Sequence, residues 1–105
     1  MGIAIIATAK FAPEHIEAVK EAAIIMVEET RKETGCMLYA FAQDVSDPTI
    51  IRIVEQWEDV SHLAAHMTVP HMAAFQAALA KTPPLSLEAT RYDLATFGPL
   101  DVNAL

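Results

Sequence analysis

Three histidines lie close together in the second half of the chain and are the side chains best suited to acid–base chemistry. His62 and His66 are four residues apart and share one face if this segment is helical, and His71 follows directly after a proline. A free imidazole has a pKa of about 6.5, so histidine can accept a proton near neutral pH. His66 has the most apolar surroundings, which are Ala64, Ala65 and Met67. We therefore expect His66 to be a catalytic base or substrate anchor, or equally a buried histidine bonded to a carboxylate such as Glu55.

A carboxylate and two aromatic side chains provide further candidate groups. Glu55 is the one carboxylate in the strand sequence IIRIVEQW, and burying it without a partner would be costly. It should therefore have a raised pKa or a partner, and the structural alternative to catalysis is an ion pair with Arg52, Arg91 or a histidine. Trp57 shares its strand face and either belongs to the core or packs against a planar ligand. The Tyr39 hydroxyl either is satisfied within the core or donates to a substrate oxygen.

The two histidines at helical spacing could also bind a metal ion. His62 and His66 have no obvious third ligand beside them, so we expect no metal site. The single cysteine, Cys36, excludes an internal disulfide and a cysteine-based zinc site, and we expect it to be a small buried apolar residue. His71 has a structural alternative as well, because it could stabilise the junction between two helical segments. His62, beside Ser61, is expected to be solvated.

The hydrophobic pattern predicts the elements that must position these side chains. Predicted strands cover residues 2–11, 36–44, 49–58 and 85–97, and predicted helices cover 14–34, 60–67 and 70–81. Boundaries are set by turn and capping residues, namely Pro13, Gly35, the Ser46-Asp47-Pro48 turn, Asp59 and Pro83-Pro84. The order β-α-β-β-α-β predicts an α+β, ferredoxin-like domain with one antiparallel sheet and helices on one face. We expect this single domain over residues 1–97 and a C-terminal tail over 98–105.

The apolar content is high for a short chain. Of 105 residues, 53% are hydrophobic, and strand sequences carry aliphatic residues on both faces. In the third strand, one face holds Ile51, Ile53, Glu55 and Trp57, and the other holds Ile50, Arg52, Val54 and Gln56. A sheet with one solvated face would alternate apolar and polar residues more cleanly. We therefore expect a second sheet, most simply from an identical subunit, to cover the face without helices.

Charge and segment composition exclude several classes of protein. The chain has 14 acidic and 7 basic side chains, a formal net charge of −7, so it lacks the basic surface that binds nucleic acid or anionic membranes. An uncharged stretch, residues 64–80, contains polar residues and Pro70 and does not resemble a membrane span. The first residues lack the basic start of a signal peptide. We expect a cytoplasmic protein without nucleic-acid or membrane partners.

A set of residues along most of the chain resembles the antibiotic biosynthesis monooxygenase family. The matching pattern consists of Gly35-Cys36-x-x-Tyr39, then Glu55-x-Trp57-x-Asp59, then His66, Pro70-His71 and Phe75. The resemblance covers about residues 2–97. It implies a dimeric α+β barrel, in which two ferredoxin-like sheets face each other, with a pocket between sheet and helices in each subunit.

The activities of this family differ among its members. Some oxidise polycyclic phenols or quinols with O₂ and no bound cofactor, some degrade haem, and some isomerise small signalling sugars. Haem-degrading members use an Asn in the first strand and a Trp–His pair on the second helix. This chain has Thr8 in the first strand and its only tryptophan, Trp57, in a strand, which disfavours haem degradation. The resemblance therefore implies a monooxygenase without a cofactor, acting on a quinol-like or polyphenolic aromatic substrate and O₂.

Six residues are assigned to this activity. We expect His66, Tyr39 and Glu55 to be catalytic, and Trp57, His71 and Phe75 to bind the substrate. Two alternatives from other classes stay open. One is a non-catalytic dimeric small-molecule binding module, and the other is an isomerase of a small oxygenated metabolite.

Overall fold

A four-stranded antiparallel sheet carries all the helices on one of its faces. The computed structural model describes residues 2–105. Its strands are β1 (Gly2–Lys10), β2 (Cys36–Gln43), β3 (Ile50–Trp57) and β4 (Ser86–Leu94), and its helices are α1 (Ile16–Thr30), α2 (Val60–His66) and α3 (Pro70–Lys81). The strand order is β2-β3-β1-β4, with every neighbouring pair antiparallel. The predicted α+β ferredoxin-like arrangement is therefore confirmed.

The first helix ends earlier than the sequence pattern predicts. A 3₁₀ turn, Pro13–His15, precedes α1, and the helix stops at Thr30 instead of continuing to residue 34. Beyond it the backbone tightens, because the Glu33 N–H bonds to the Thr30 carbonyl, three residues back. Contrary to the sequence prediction, Gly35 does not stop the helix but lies at the end of this turn in a left-handed conformation with φ of +82°. Glu33 consequently lies in this turn, outside the regular helix.

The second helical region divides into two helices. The Asp59 side chain caps α2 by accepting from the His62 N–H at 3.1 Å, as the sequence predicts. Pro70 occupies the first turn of α3, where the missing N–H costs nothing. The last strand ends at Leu94, before the predicted 97, and the C-terminal tail contains a 3₁₀ turn, Val102–Ala104. None of the helices in residues 2–105 has the length and apolarity needed to cross a bilayer.

The two faces of the sheet differ in what covers them. The helix-covered face includes Ile3 and Trp57, which are fully buried together with Met26 of α1. No helix within residues 2–105 covers the other face, which we call the open face. It carries Ile6, Leu38 and Tyr92, which are 41%, 44% and 46% exposed.

Candidate active site

A mostly apolar cavity of about 410 Å³ lies between the sheet and the helices. Strand alternation directs the side chains of Ile5, Tyr39, Ile53 and Glu55 toward it, and α2 and α3 contribute residues from above, including Leu63, His66, Met72 and Phe75. Leu87 of β4 also lines it and is 60% exposed, so this side of the cavity opens to solvent. The dimensions fall in the range of small-molecule sites.

His66 is the last residue of α2 and is 1% exposed. Its ring lies 4.8 Å from the Trp57 ring and 5.4 Å from the Tyr39 ring, measured between centroids. The Tyr39 contact is edge-on. Because these two rings pack against it, the imidazole has one defined orientation in the cavity wall.

Glu33 does not line the cavity, but its carboxylate bonds to the His66 ring. Its Oε2 atom lies 2.8 Å from Nδ1 of His66 and 2.7 Å from Nε2 of His71. An ionised carboxylate can only accept hydrogen bonds, so both imidazoles donate to it. With Glu33 ionised and the ring neutral, this assigns His66 the tautomer protonated on Nδ1. Its other nitrogen, Nε2, is left with a lone pair, is buried, and has no hydrogen-bond partner within residues 2–105.

This arrangement gives His66 the two attributes of a general base. The lone pair on Nε2 can take a proton, and the carboxylate on the opposite nitrogen stabilises the imidazolium that forms. The sequence analysis did not single out Glu33. A signal existed, because a carboxylate just beyond a helix C-terminus faces the negative end of the helix dipole and gains nothing there. The hydrogen bonds of Glu33 to His66 and His71 account for its position.

Glu55 is held by a different partner from those the sequence suggested. Its Oε1 accepts a hydrogen bond from Nε1 of Trp57 at 3.0 Å. Neither of the expected arginines reaches it, because Arg52 pairs with Asp44 at 2.6 Å and Arg91 pairs with Asp93 at 2.8 Å. Burial raises the pKa of the Glu55 carboxyl, while the Trp57 hydrogen bond and the nearby His66 oppose that rise.

Tyr39 lies opposite Glu55 in the register of β2 and β3 and is 3% exposed. Burial raises the pKa of its hydroxyl well above the usual value, and the negative charge of Glu55 adds to the effect. The phenol therefore stays protonated over the whole physiological range. In this state it is a hydrogen-bond donor and not a base.

Four of the six residues expected in the site line the same cavity, and two do not. Tyr39, Glu55, His66 and Phe75 are lining residues. Trp57 and His71 lie behind the wall instead, Trp57 bonded to Glu55 and His71 bonded to Glu33. His62 is separate from this group, because its Nε2 lies 3.7 Å from Glu58 and 3.9 Å from Asp59. His62 and His66 both lie on α2, but only His66 bonds to Glu33, through which it meets His71.

The chain is similar in sequence and structure to several known proteins. "Probable quinol monooxygenase YgiN" of Escherichia coli is 36% identical over an alignment of 73 residues, and the match covers 62% of this chain and 70% of that protein. A Deinococcus radiodurans structure that carries the family name superposes with a TM-score of 0.84 at 25% identity, covering 96% of this chain and 99% of the other. PA3566 from Pseudomonas aeruginosa gives 0.80 at 29% identity, covering 90% and 95%. The sequence profile of the family matches residues 2–78, and the chain therefore belongs to the antibiotic biosynthesis monooxygenase family.

Proposed function

We propose that the protein is a monooxygenase that oxidises a quinol-like or polyphenolic compound with O₂. The observation that carries this proposal is the position of His66, whose Nδ1 is bonded to Glu33 and whose ring lines an apolar cavity. Membership of the family and the similarity to a protein named as a quinol monooxygenase support the same reaction class.

The redox balance of this reaction needs no other reductant. One quinol and one O₂ give one hydroxyquinone and one water, so the O–O bond breaks and one oxygen atom enters the ring. The substrate supplies all the electrons that O₂ takes up. The protein's part is then to remove a phenolic proton, hold the resulting electron-rich anion, and keep bulk water away.

Each polar group in the cavity has a distinct role in this proposal. Nε2 of His66 accepts the phenolic proton, and Glu33 stabilises the imidazolium that results. The hydroxyl of Tyr39 donates a hydrogen bond to a substrate oxygen, for which its raised pKa suits it. Glu55 is a polar partner beside His66. Phe75, whose ring meets Phe41 edge-on at 5.5 Å, forms part of the apolar wall against an aromatic substrate.

The test is O₂ uptake with a panel of hydroquinones and naphthoquinols, corrected for autoxidation without protein. We expect catalysed uptake, with one atom of ¹⁸O entering the product from labelled O₂. His66→Ala should abolish the catalysed rate. His62→Ala is the matched control, because it removes a histidine of the same helix that does not line the cavity, and it should retain the wild-type rate. Absence of uptake above background across the panel would contradict the proposal.

Two further measurements separate the two alternatives. His66 and Glu55 together form a base and a carboxylic group in one cavity, which also suits proton transfer between carbon and oxygen atoms in an isomerase. Turnover of an oxygenated metabolite under anaerobic conditions would favour the isomerase. Saturable quinol binding without any product, aerobic or anaerobic, would favour a binding module.

We further propose that the protein is a cytoplasmic homodimer in which the open faces of two sheets pack together. The exposed apolar residues on this face support the proposal, since strands apolar on both faces are typical of sheets covered on both sides. Two identical open faces are self-complementary about a two-fold axis. The lone cysteine agrees with a reducing compartment.

A further inference from the structure

We propose that Glu33, His66 and His71 form a binding site for a divalent transition-metal ion, with Zn²⁺ as the best match. The three ligand atoms lie within 4.8 Å of one another. They come from three separate parts of the chain: the turn after α1, the end of α2 and the first turn of α3. No sequence spacing predicts this set, and it differs from the His62–His66 pair considered above.

The chemistry of the donors fits a first-row metal. Two imidazole nitrogens and one carboxylate oxygen make up a common ligand set for zinc, and they leave at least one coordination position for water. Both nitrogens already converge on one atom, Glu33 Oε2, at 2.8 and 2.7 Å. The site is largely shielded, with Glu33 at 14% and His71 at 18% side-chain exposure, so an ion reaches it from the surface side.

Only small movements are needed to admit the ion. Zinc binds nitrogen and oxygen at about 2.0–2.2 Å, so in a tetrahedral site neighbouring ligand atoms lie roughly 3.3 Å apart. Each N···O distance would therefore widen by about 0.5 Å, and the two imidazole nitrogens, which lie within 4.8 Å of each other, would close toward the same spacing. His71 and Glu33 lie in a first helical turn and in an irregular turn, where shifts of this size need no change in the sheet.

Charge also favours a cation at this position. Neither Glu33 nor Glu55 forms a salt bridge with a lysine or arginine within residues 2–105. Glu33 bonds to the two histidines of the site, and Glu55 bonds to Trp57. A divalent ion with neutral imidazoles and ionised Glu33 has a net charge of +1. The carboxylate of Glu55, in the same cavity wall as His66, offsets it when ionised.

Metal binding would change Nε2 of His66, which faces the cavity, from a proton acceptor into a hydrogen-bond donor. An ion on Nδ1 occupies the lone pair of that nitrogen, so the ring proton must move to Nε2. His66 then presents a donor in place of a base. Resting on the proposed function, this predicts that the metal-bound protein does not oxidise quinols and that a chelator restores the activity.

The binding test is titration of the chelator-treated full-length protein with Zn²⁺ by calorimetry, and with Co²⁺ by visible absorption. We expect one ion per chain. Glu33→Gln and His71→Gln should each weaken binding more than roughly tenfold. The glutamine at position 71 keeps an N–H donor for Glu33, so that this variant retains the local hydrogen bond and its fold, which circular dichroism checks.

The control variant addresses the other histidine–carboxylate group of this region. His62 lies near Glu58 and Asp59 on the surface and could bind an ion adventitiously. His62→Ala should leave the affinity unchanged. The proposal is overturned if no ion binds, or if His62→Ala abolishes binding while His71→Gln does not.

A separate readout follows the tautomer directly. Nitrogen NMR of the histidine rings should show the His66 proton on Nδ1 without metal and on Nε2 with Zn²⁺, and an unchanged tautomer would overturn the site. This readout and the calorimetry do not depend on turnover. Binding without any quinol oxidation in either state would therefore count against the proposed function alone, whereas oxidation without binding would count against the metal site alone.

Discussion

At the scale of single residues, the candidate site depends on a carboxylate that is distant in sequence. Glu33 and His66 are separated by 33 positions, yet they form a 2.8 Å hydrogen bond next to the cavity. Glu33 does not line that cavity, so it acts on a substrate only through the orientation and charge of His66. It is a positioning residue in the proposed reaction.

Glu33→Gln should therefore reduce the rate of the chemical step and not substrate binding. We expect kcat for quinol oxidation to fall roughly 10–100-fold with KM little changed, since an amide neither stabilises an imidazolium nor fixes the tautomer. Steady-state kinetics in the presence of a chelator measure both constants. Glu29→Gln, which removes a carboxylate from the same helix end, should retain wild-type values. A rise in KM alone would show that Glu33 has a different role.

Glu55→Gln should make the protein more stable at neutral pH but not in acid. Burial raises the pKa of Glu55 in the folded state above its ordinary value of 4.5, so the folded protein holds this proton more tightly than the unfolded chain. The wild type then loses stability as the pH rises from about 4.5 through the folded pKa. Glutamine does not titrate, and its amide oxygen still accepts the Trp57 N–H bond.

Unfolding in urea at several pH values, with chelator present, measures this difference. The stability gain of Glu55→Gln should be largest at pH 7–8 and should disappear below about pH 4.5. Glu88→Gln, a change at an exposed strand position, is the control and should show no such trend. A gain that stays constant with pH would mean that the titration of Glu55 does not cause it.

At the scale of elements, the turn between α1 and β2 determines where Glu33 lies. Gly35 has a φ of +82°, a conformation that costs other residues free energy, and a Cβ atom there would overlap the side chain of His62. This close approach brings the turn against the start of α2. The helix end, the turn and α2 are therefore fixed together, which places Glu33 beside His66.

Gly35→Ala should destabilise the fold and disturb the site. The left-handed conformation alone costs about 1–2 kcal/mol in the free energy of unfolding, and displacement of His62 adds to it. Chemical denaturation should show this loss. Gly98→Ala is the matched control, because a Cβ at Gly98 meets no atom within 4 Å, and it should be neutral. Equal stability of the two variants would contradict the role given to the turn.

At the scale of the whole molecule, the open sheet face has the composition of an interface. Ile6, Leu38 and Tyr92 of β1, β2 and β4 are exposed on this one face, whereas the opposite side of the same strands is covered by helices. Exposed apolar residues also occur on α1, where Ile24 and Ile25 are 58% and 62% exposed. The α1 surface is therefore the alternative contact for the proposed dimer.

Ile6→Glu should convert the proposed dimer into a monomer. A carboxylate at the centre of the open face would be buried in the dimer without a partner. The free-energy cost of burying it exceeds what one apolar side chain contributes to dimerisation. Light scattering at micromolar concentration should give the dimer mass for the wild type and the monomer mass for the variant. Ile25→Glu on α1 should remain dimeric. A monomeric wild type, or dissociation caused only by Ile25→Glu, would contradict the proposed interface.

The sequence by itself determined the fold class, because hydrophobic periodicity and turn residues such as Gly35 and Asp59 act over a few positions. It also identified His66, Tyr39 and Glu55 as polar groups in apolar segments, and these three line one cavity. The proposed reaction class follows from the family resemblance. The elements and these polar positions could be predicted because their causes are local in sequence, whereas the shared cavity is a tertiary feature.

Only the tertiary structure decided how these groups are connected. The partner of His66 is Glu33 and not Glu55, the partner of Glu55 is Trp57 and not an arginine, and His71 lies behind the cavity wall. Hydrogen bonds have a range of about 3 Å and depend on direction. The packing of helix ends against strands therefore determines which groups form hydrogen bonds. A small change in that packing, such as the early end of α1, changes which carboxylate bonds to an imidazole.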